Sequence, residues 1–454
     1  MRKTIHILIV LAVALTATAS PRYRFRVYLK EKGDEFSIEK PEAFLSEEAI
    51  ARRQRLGIAV DTTDLPISAT HLHALQEAGF TPVVSSKWQR TVVVECADRQ
   101  AEATLRQLAM VDSVQFVWQG VENAFRSTSV GDTTRLVAQR KPLKSPYGYA
   151  LEQIKQLNGL KLHRAGFRGS GVRVAVIDAG FLHVDRIQAF SSLRLLGTHN
   201  VVNPEQSVFS TDEHGTKALS CLAAQAEGQM VGTAPEASYW LIKSEDSDSE
   251  YPIEEDYYAA ALEFADSVGV DVITSSLGYF SFDADWLSHT AEQLDGQTAF
   301  ISRAAHCAAE KGLLLFSSAG NEGNSLWRTI TFPADAEGIV TVGAVTDKKQ
   351  RSSFSSVGYT ADGRVKPDFV ALGTSSCVID SRGEVTNASG TSFATPILAG
   401  MAVCLWQALP QLTPQELIKL LRSEASQSDR PDPELGYGLP NLYKAYKKGK
   451  RHAK

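Results

Sequence analysis

Cysteine is scarce in this chain and nowhere clustered: Cys96, Cys221, Cys307, Cys377 and Cys404 stand far apart among 454 residues. No Cys-x-x-Cys pair is present, which removes zinc-ribbon and dithiol redox chemistry. The five assign no disulfide, and cysteines isolated in apolar runs such as Val403-Cys404-Leu405 behave as small buried hydrophobes. An excess of basic charge is also missing. The formal net charge is -5, so nothing points to a nucleic-acid partner. Long apolar runs are missing too: after residue 19 no stretch reads as the roughly 20 residues that a bilayer core requires. With 43% hydrophobic and 22% charged residues, the remainder has the composition of a soluble globular protein with a sizeable core.

At the N-terminus, Met1-Arg2-Lys3 precedes a short apolar run over 7–15, closed by Ala17-Thr18-Ala19. A basic start, an apolar centre and small residues at alternate positions make residues 1–19 a secretory signal peptide. Export is the expectation, to the periplasm, the cell surface or the medium. No Cys follows the run to carry a lipid anchor.

Residues 20–125 read as a small α/β unit. The segment 23–29 alternates with period two, 46–54 opens like a capped helix behind Ser46, and 71–78 is helical. The apolar Val83-Val84 follows Gly79, 91–95 and 114–118 read as strands, and 99–110 as a helix. Residues 126–146 turn polar and basic without apolar periodicity and read as an exposed linker. From 147 to 446, continuous apolar strands (172–177, 239–242, 270–273, 313–316, 339–342) alternate with helical segments. That pattern predicts a parallel sheet covered on both faces. The basic tail 447–454 reads as solvated.

Three motifs carry chemistry. Strand 174–177 runs into Asp178-Ala179-Gly180, placing a carboxylate at the carboxyl end of a buried parallel strand, the edge where open α/β sheets bind ligands. His214-Gly215-Thr216 opens a small-residue helix, and Ser392 stands at the head of an apolar helix in Gly390-Thr391-Ser392-Phe393-Ala394-Thr395-Pro396. Each has a bland reading, as turn former, capping His or N-cap. The lipase-type Gly-x-Ser-x-Gly turn is excluded by Ala394. Jointly, in the order Asp, His, Ser, the motifs are far more specific.

These three motifs resemble the signatures of the subtilisin-like serine peptidases. Ser276-Leu277-Gly278, Ser318-Ala319-Gly320-Asn321-Glu322-Gly323, Phe354-Ser355-Ser356-Val357-Gly358 and Lys366-Pro367-Asp368 match as well. The resemblance covers about 147–445. It implies a mostly parallel sheet flanked by helices, preceded by a ferredoxin-like prodomain, and a serine endopeptidase made as a self-processed zymogen. Its partners would be protein or peptide substrates and its own propeptide. By resemblance Ser392 is the nucleophile, His214 the base, Asp178 its orienting carboxylate and Asn321 an oxyanion donor. The primary specificity pocket would be built from Ser276, Leu277, Gly278, Ala319 and Gly320, with Glu322 near the rim. A large apolar side chain would fit there and a basic one would be tolerated. No cofactor is needed for the chemistry, while the family leaves room for structural calcium. The acidic run 244–250 and Glu254-Glu255-Asp256 invite a calcium reading. They lack the Gly of an EF-hand loop, and acidic runs are mostly solvated surface. Ala179 stands where the family usually has Thr or Ser, removing a hydroxyl donor to Asp178; Lys217 and Ser220 replace a His and a Gly. The rival readings are a silent binding protein that keeps the fold, and an acidic-pH Ser-carboxyl peptidase.

Overall fold

The computed structural model describes residues 20–121, 135–137 and 139–452. The predicted signal peptide, residues 122–125 of the predicted N-terminal unit, residues 126–134 and 138 of the predicted linker and residues 453–454 of the predicted tail lie outside these.

The N-terminal unit is a four-stranded antiparallel sheet in the order β2-β3-β1-β4, made of β1 (Pro21–Leu29), β2 (Thr81–Ser86), β3 (Thr91–Cys96) and β4 (Val111–Val121). This is the ferredoxin-like order. Helix α1 (Glu47–Leu56) starts where Ser46 accepts the Ala49 N–H and stops at Gly57 with φ 67°, a left-handed cap that glycine adopts without strain. Helix α2 (Ala69–Glu77) is capped by Ser68. The expected helix over 99–110 is corrected to the single turn Glu102–Leu105. Only Leu105 of that turn is buried, and so short a segment with one anchoring side chain does not sustain a longer helix.

The second unit is built on seven parallel strands in the order β11-β10-β9-β8-β5-β7-β6. They are β5 (Arg173–Asp178), β6 (Arg194–Asn200), β7 (Ser238–Lys243), β8 (Val272–Ser275), β9 (Leu314–Ser318), β10 (Val340–Val345) and β11 (Phe369–Leu372). The edge strands β6 and β11 add to the five read from the sequence. Val174 and Val176 of β5 enter the core on one face, Ala175 and Ile177 the core on the other, which is the period-two alternation of a doubly covered sheet. Helix α3 (His214–Ala223) and helix α6 (Thr391–Ala408) share the first core, α4 (Ile253–Ser267) and α5 (Phe300–Glu310) the second.

Two expectations need correction. Helix α6, with mean hydropathy 1.2, is by length and composition apolar enough to cross a membrane, although no such stretch was expected after residue 19. It is instead the central core helix, with every residue from Thr391 to Trp406 buried. The residues Glu254, Glu255 and Asp256 are buried in the first turn of α4 rather than solvated. The basic tail continues the helix Leu442–His452; Lys447, Lys450 and Arg451 are exposed, as a solvated tail requires, and Lys448 bridges to Glu424 at 3.0 Å. Of the five cysteines, all free, Cys221, Cys377 and Cys404 are buried and Cys96 and Cys307 half-buried.

The two units meet across α4 through polar contacts that are largely buried. Arg26 donates to both Asp256 oxygens at 2.8 and 2.6 Å and to the Pro252 carbonyl at 2.9 Å. Arg53 joins Asp64 at 2.9 Å and Asp266 at 2.7 Å, and Arg52 also pairs with Asp266. Glu263 accepts the Ser86 hydroxyl at 2.5 Å and the backbone N–H groups of Lys87 and Trp88 at 2.8 and 3.0 Å. Gly269, at φ 76°, lets Glu48 approach so closely that a Cβ there would lie 2.4 Å from the Glu48 Cβ.

Candidate active site

The strand order brings the carboxyl ends of β5 and β8 beside the heads of α3 and α6. Asp178, last residue of β5, is fully buried. Its Oδ1 accepts the Ala179 N–H at 2.8 Å and lies 2.7 Å from His214 Nδ1. Helix α3 reaches this close because Gly215 has no side chain: a Cβ would sit 2.3 Å from the Gly180 carbonyl and 2.9 Å from the Asp178 Cβ. Asp212 anchors the helix start by accepting the His214 N–H at 2.6 Å. The other carboxylate oxygen, Asp178 Oδ2, is buried with no hydrogen-bond partner. A Thr or Ser in place of Ala179 could have supplied one.

Asp178 chiefly, against the opposing effect of burial, raises His214 from its ordinary 6.5 to about 9, and Asp212 and Glu245 add to the rise.

Ser392 is the second residue of α6, where the amide has no carbonyl four residues back within the helix to bond. Its hydroxyl is directed at the Ser276 carbonyl, 3.4 Å away. Pro396 inside the helix lacks an N–H, so it frees the carbonyl of Ser392 four residues earlier. The Ser276 hydroxyl takes up that carbonyl at 2.8 Å, tying the Ser392 backbone to the end of β8. Asn321 accepts the Thr391 N–H at 2.9 Å and the Thr391 hydroxyl at 3.0 Å through its amide oxygen. Its NH2 is the end left for the cleft, and the residue is exposed. A hydroxyl, an imidazole oriented by a buried carboxylate, and two N–H groups beside the hydroxyl make a constellation suited to acyl transfer.

These residues open on a cleft of about 490 Å³. His214, Ser392, Asn321, Ser276, Leu277, Gly278, Gly320 and Glu322 line it. Asp178 lies behind His214, and Ala319 does not reach the cleft but packs fully buried in the core. Sequence reasoning missed Asp212, Phe280 and Thr331 as lining residues, and read Glu245 and Glu250 only as part of an acidic run. Thr331 carries no sequence signal. It is found only because Gly278 and Gly320 close on it, a Cβ on either lying 2.3 or 2.8 Å from its side chain. A larger cavity of about 780 Å³ lies between Leu56, Ile58 and the 337–339 loop at the boundary of the units. It holds none of the three motif residues. Among the described residues no group of three or more His, Cys, Asp or Glu is arranged to hold a metal ion.

Comparison with known families agrees with this geometry. Residues 169–438 match the model of the Subtilase family. The chain belongs to that family of serine endopeptidases. Ahead of the subtilase domain, residues 24–132 match the Peptidase S8 propeptide domain, Bacteroidota, so the ferredoxin-like unit is a propeptide domain. Among similar subtilases, Serine protease AprX of Bacillus subtilis (strain 168) is 30% identical over 303 residues, 60% of this chain and 65% of the relative. Subtilisin DY of Bacillus licheniformis is 29% identical over 283 residues, 62% of this chain and 91% of the relative. Minor extracellular protease Epr of Bacillus subtilis (strain 168) is 27% identical over 280 residues, 61% of this chain and 38% of the relative.

Proposed function

We propose that the chain is exported as a zymogen and acts as a serine endopeptidase that hydrolyses protein substrates through an acyl-enzyme. The reading rests above all on the 2.7 Å contact of His214 with buried Asp178 on the cleft that also holds Ser392. Ser392 Oγ attacks the scissile carbonyl while His214 Nε2 takes its proton, and the imidazolium formed is stabilised by Asp178. Asn321 Nδ2 and the Ser392 N–H stabilise the oxyanion. His214 then returns the proton to the leaving amine, and water enters by the reverse route to release the acid. The Ser392 hydroxyl turns from the Ser276 carbonyl toward His214 when substrate fills the cleft, since such bonds tighten only in the complex. The walls at Ser276–Gly278 and Gly320, with Glu322 at the rim, favour a large apolar or a basic side chain. Export is supported by the signal-like first 19 residues and by a relative whose name calls it extracellular.

Fluorophosphonate labelling tests the core of the reading. Native protein should label on Ser392 near neutral pH and Ser392→Ala should neither label nor cleave; a folded native protein that never labels sinks the proposal. Asn321→Ala should still label but turn over about 10²–10³ times more slowly, and unchanged kcat would remove Asn321 from the oxyanion site. No cofactor takes part in these steps, so EDTA should leave the labelling rate unchanged; a fall would reveal structural calcium.

Self-processing has its own test. Purified wild type should be shorter than Ser392→Ala, with a new N-terminus between residues 126 and 147. An uncut, fully active wild type would make the N-terminal unit a permanent accessory domain. Trimming of the alanine variant at the same bond would assign the cut to another protease.

A further inference from the structure

The charged residues that line the cleft are acidic. Asp212, Glu245, Glu250 and Glu322 line it, and no lysine or arginine does among the described residues. Glu245 and Glu250 stand on the segment that follows β7, beside His214. Behind them Glu254 is fully buried. Its Oε1 accepts the Asp246 N–H at 2.9 Å, and its Oε2 has no hydrogen-bond partner. The Tyr279 hydroxyl donates to Glu245 Oε1. The nearby cation, Lys243, directs its ammonium to the backbone carbonyls of Ala179, at 2.8 Å, and of Glu245. Among the described residues none of the three glutamates forms an ion pair, and none belongs to a group arranged to hold a metal ion.

Carboxylates that are buried, as Glu254 is, or half-buried, as Glu245 and Glu250 are, favour the protonated form when no counterion reaches them. Burial first, then neighbouring carboxylates, push Glu245 up to about 8, Glu250 to about 7 and Glu254 to about 11. The cleft is therefore short of positive charge on a surface that substrate must touch.

We propose that Glu245 and Glu250, backed by Glu254, form a subsite for a lysine or arginine side chain of the substrate within a few residues of the scissile bond. The assignment rests on the endopeptidase reading and adds a substrate class to it. A guanidinium or ammonium entering from the cleft gives Glu245 and Glu250 the charge-assisted bonds that they lack, and displaces protons as it does so. This subsite stands beside His214 and is distinct from the wall at Ser276–Gly278 and Gly320.

The test compares peptides carrying arginine or its uncharged isostere citrulline at each position flanking the cleaved bond. At one position arginine should be preferred in kcat/KM by about tenfold, a ratio that corresponds to a single charge-assisted contact. The ratio should fall toward one in Glu245→Gln/Glu250→Gln and shrink at high salt. Protection of the processed wild type from fluorophosphonate by the same peptides separates binding from chemistry; the full-length chain is unsuited, because Trp118 of the propeptide domain donates to Ser249, between Glu245 and Glu250, at 3.1 Å. Hydrolysis with equal rates for arginine and citrulline at every position overturns the subsite and leaves the endopeptidase reading intact. An arginine preference in binding with no hydrolysis of any peptide supports the subsite and overturns the endopeptidase reading. No preference in either measurement overturns the subsite.

Discussion

The first turn of α4 carries three consecutive carboxylates into two different surroundings. Glu255 and Asp256 face the propeptide domain and meet Arg26, with His289 also 2.9 Å from Glu255. Glu254 packs beneath the segment that carries Glu245 and Glu250 and, among the described residues, meets only the Asp246 N–H. Burial works against ionisation in all three. On the interface side it is outweighed for Glu255, held below its ordinary value by His289 and Arg26, and it raises Asp256 only to about 6 against the pull of Arg26. On the other side it takes Glu254 to about 11. A buried acid is thus not intrinsically stabilising or destabilising. Its sign is set by whether a cation reaches it, and at the interface that cation comes from 230 residues earlier in the chain.

The contrast can be broken most forcefully at Arg26. Arg26→Met should leave Asp256 buried without its partner and cost about 3–5 kcal/mol in chemical unfolding of the full chain; a loss below about 1 kcal/mol would mean that water reaches the pair, as at an exposed salt bridge. Glu254→Gln keeps the acceptor for Asp246 and removes the excess carboxylate. It should change stability by less than about 1 kcal/mol, with either no loss or a gain, and a large loss would mean that Glu254 has an ionic role in the fold.

A subtler probe is the pH profile of kcat/KM for an uncharged substrate. The base must be neutral, so activity should rise as pH climbs through the His214 value of about 9. Glu245→Gln removes one negative neighbour and should shift the midpoint lower, and a midpoint already below 7 in the wild type would contradict the charge balance described. The stability contribution has the opposite sense. A histidine raised above its ordinary 6.5 stabilises the fold below that value, and this contribution is lost as pH rises through about 9.

Much of this was legible in the sequence where a local pattern and a local cause coincide. The inner strands of the parallel sheet are continuous apolar runs because both their faces are buried. The residues Asp178, His214 and Ser392 stand at element ends that local patterns mark. The edge strand β6 escaped because its Arg194, Leu195 and Leu196 are exposed, leaving no buried face to print a pattern. The acidic lining escaped for a different reason. Glu245, Glu250 and Glu254 look like any solvated charge run until the sheet places them beside His214, and nothing within their own segment distinguishes them from Glu255 and Asp256. Ala319 reads as part of a pocket by its neighbours Gly320 and Asn321, yet its side chain points into the core.

A peptidase is exposed to its own chemistry, and the length of its working life depends on how its parts come loose. Ser392 stands in the first turn of a helix whose first sixteen residues are all buried, so it cannot be freed by fraying or by the opening of a loop. Its amide hydrogen exchange should follow unfolding of the whole domain, and labelling of Ser392 should vanish on heating together with the near-ultraviolet signature of the core rather than before it. The segment that carries Glu245 and Glu250 is hydrogen-bonded at both ends but open at its tip, where Ser247 and Asp248 are exposed. If the enzyme ages by cutting itself, that strip is where the first nick is expected, and a nicked molecule would lose selectivity for charged substrates before it loses its active serine.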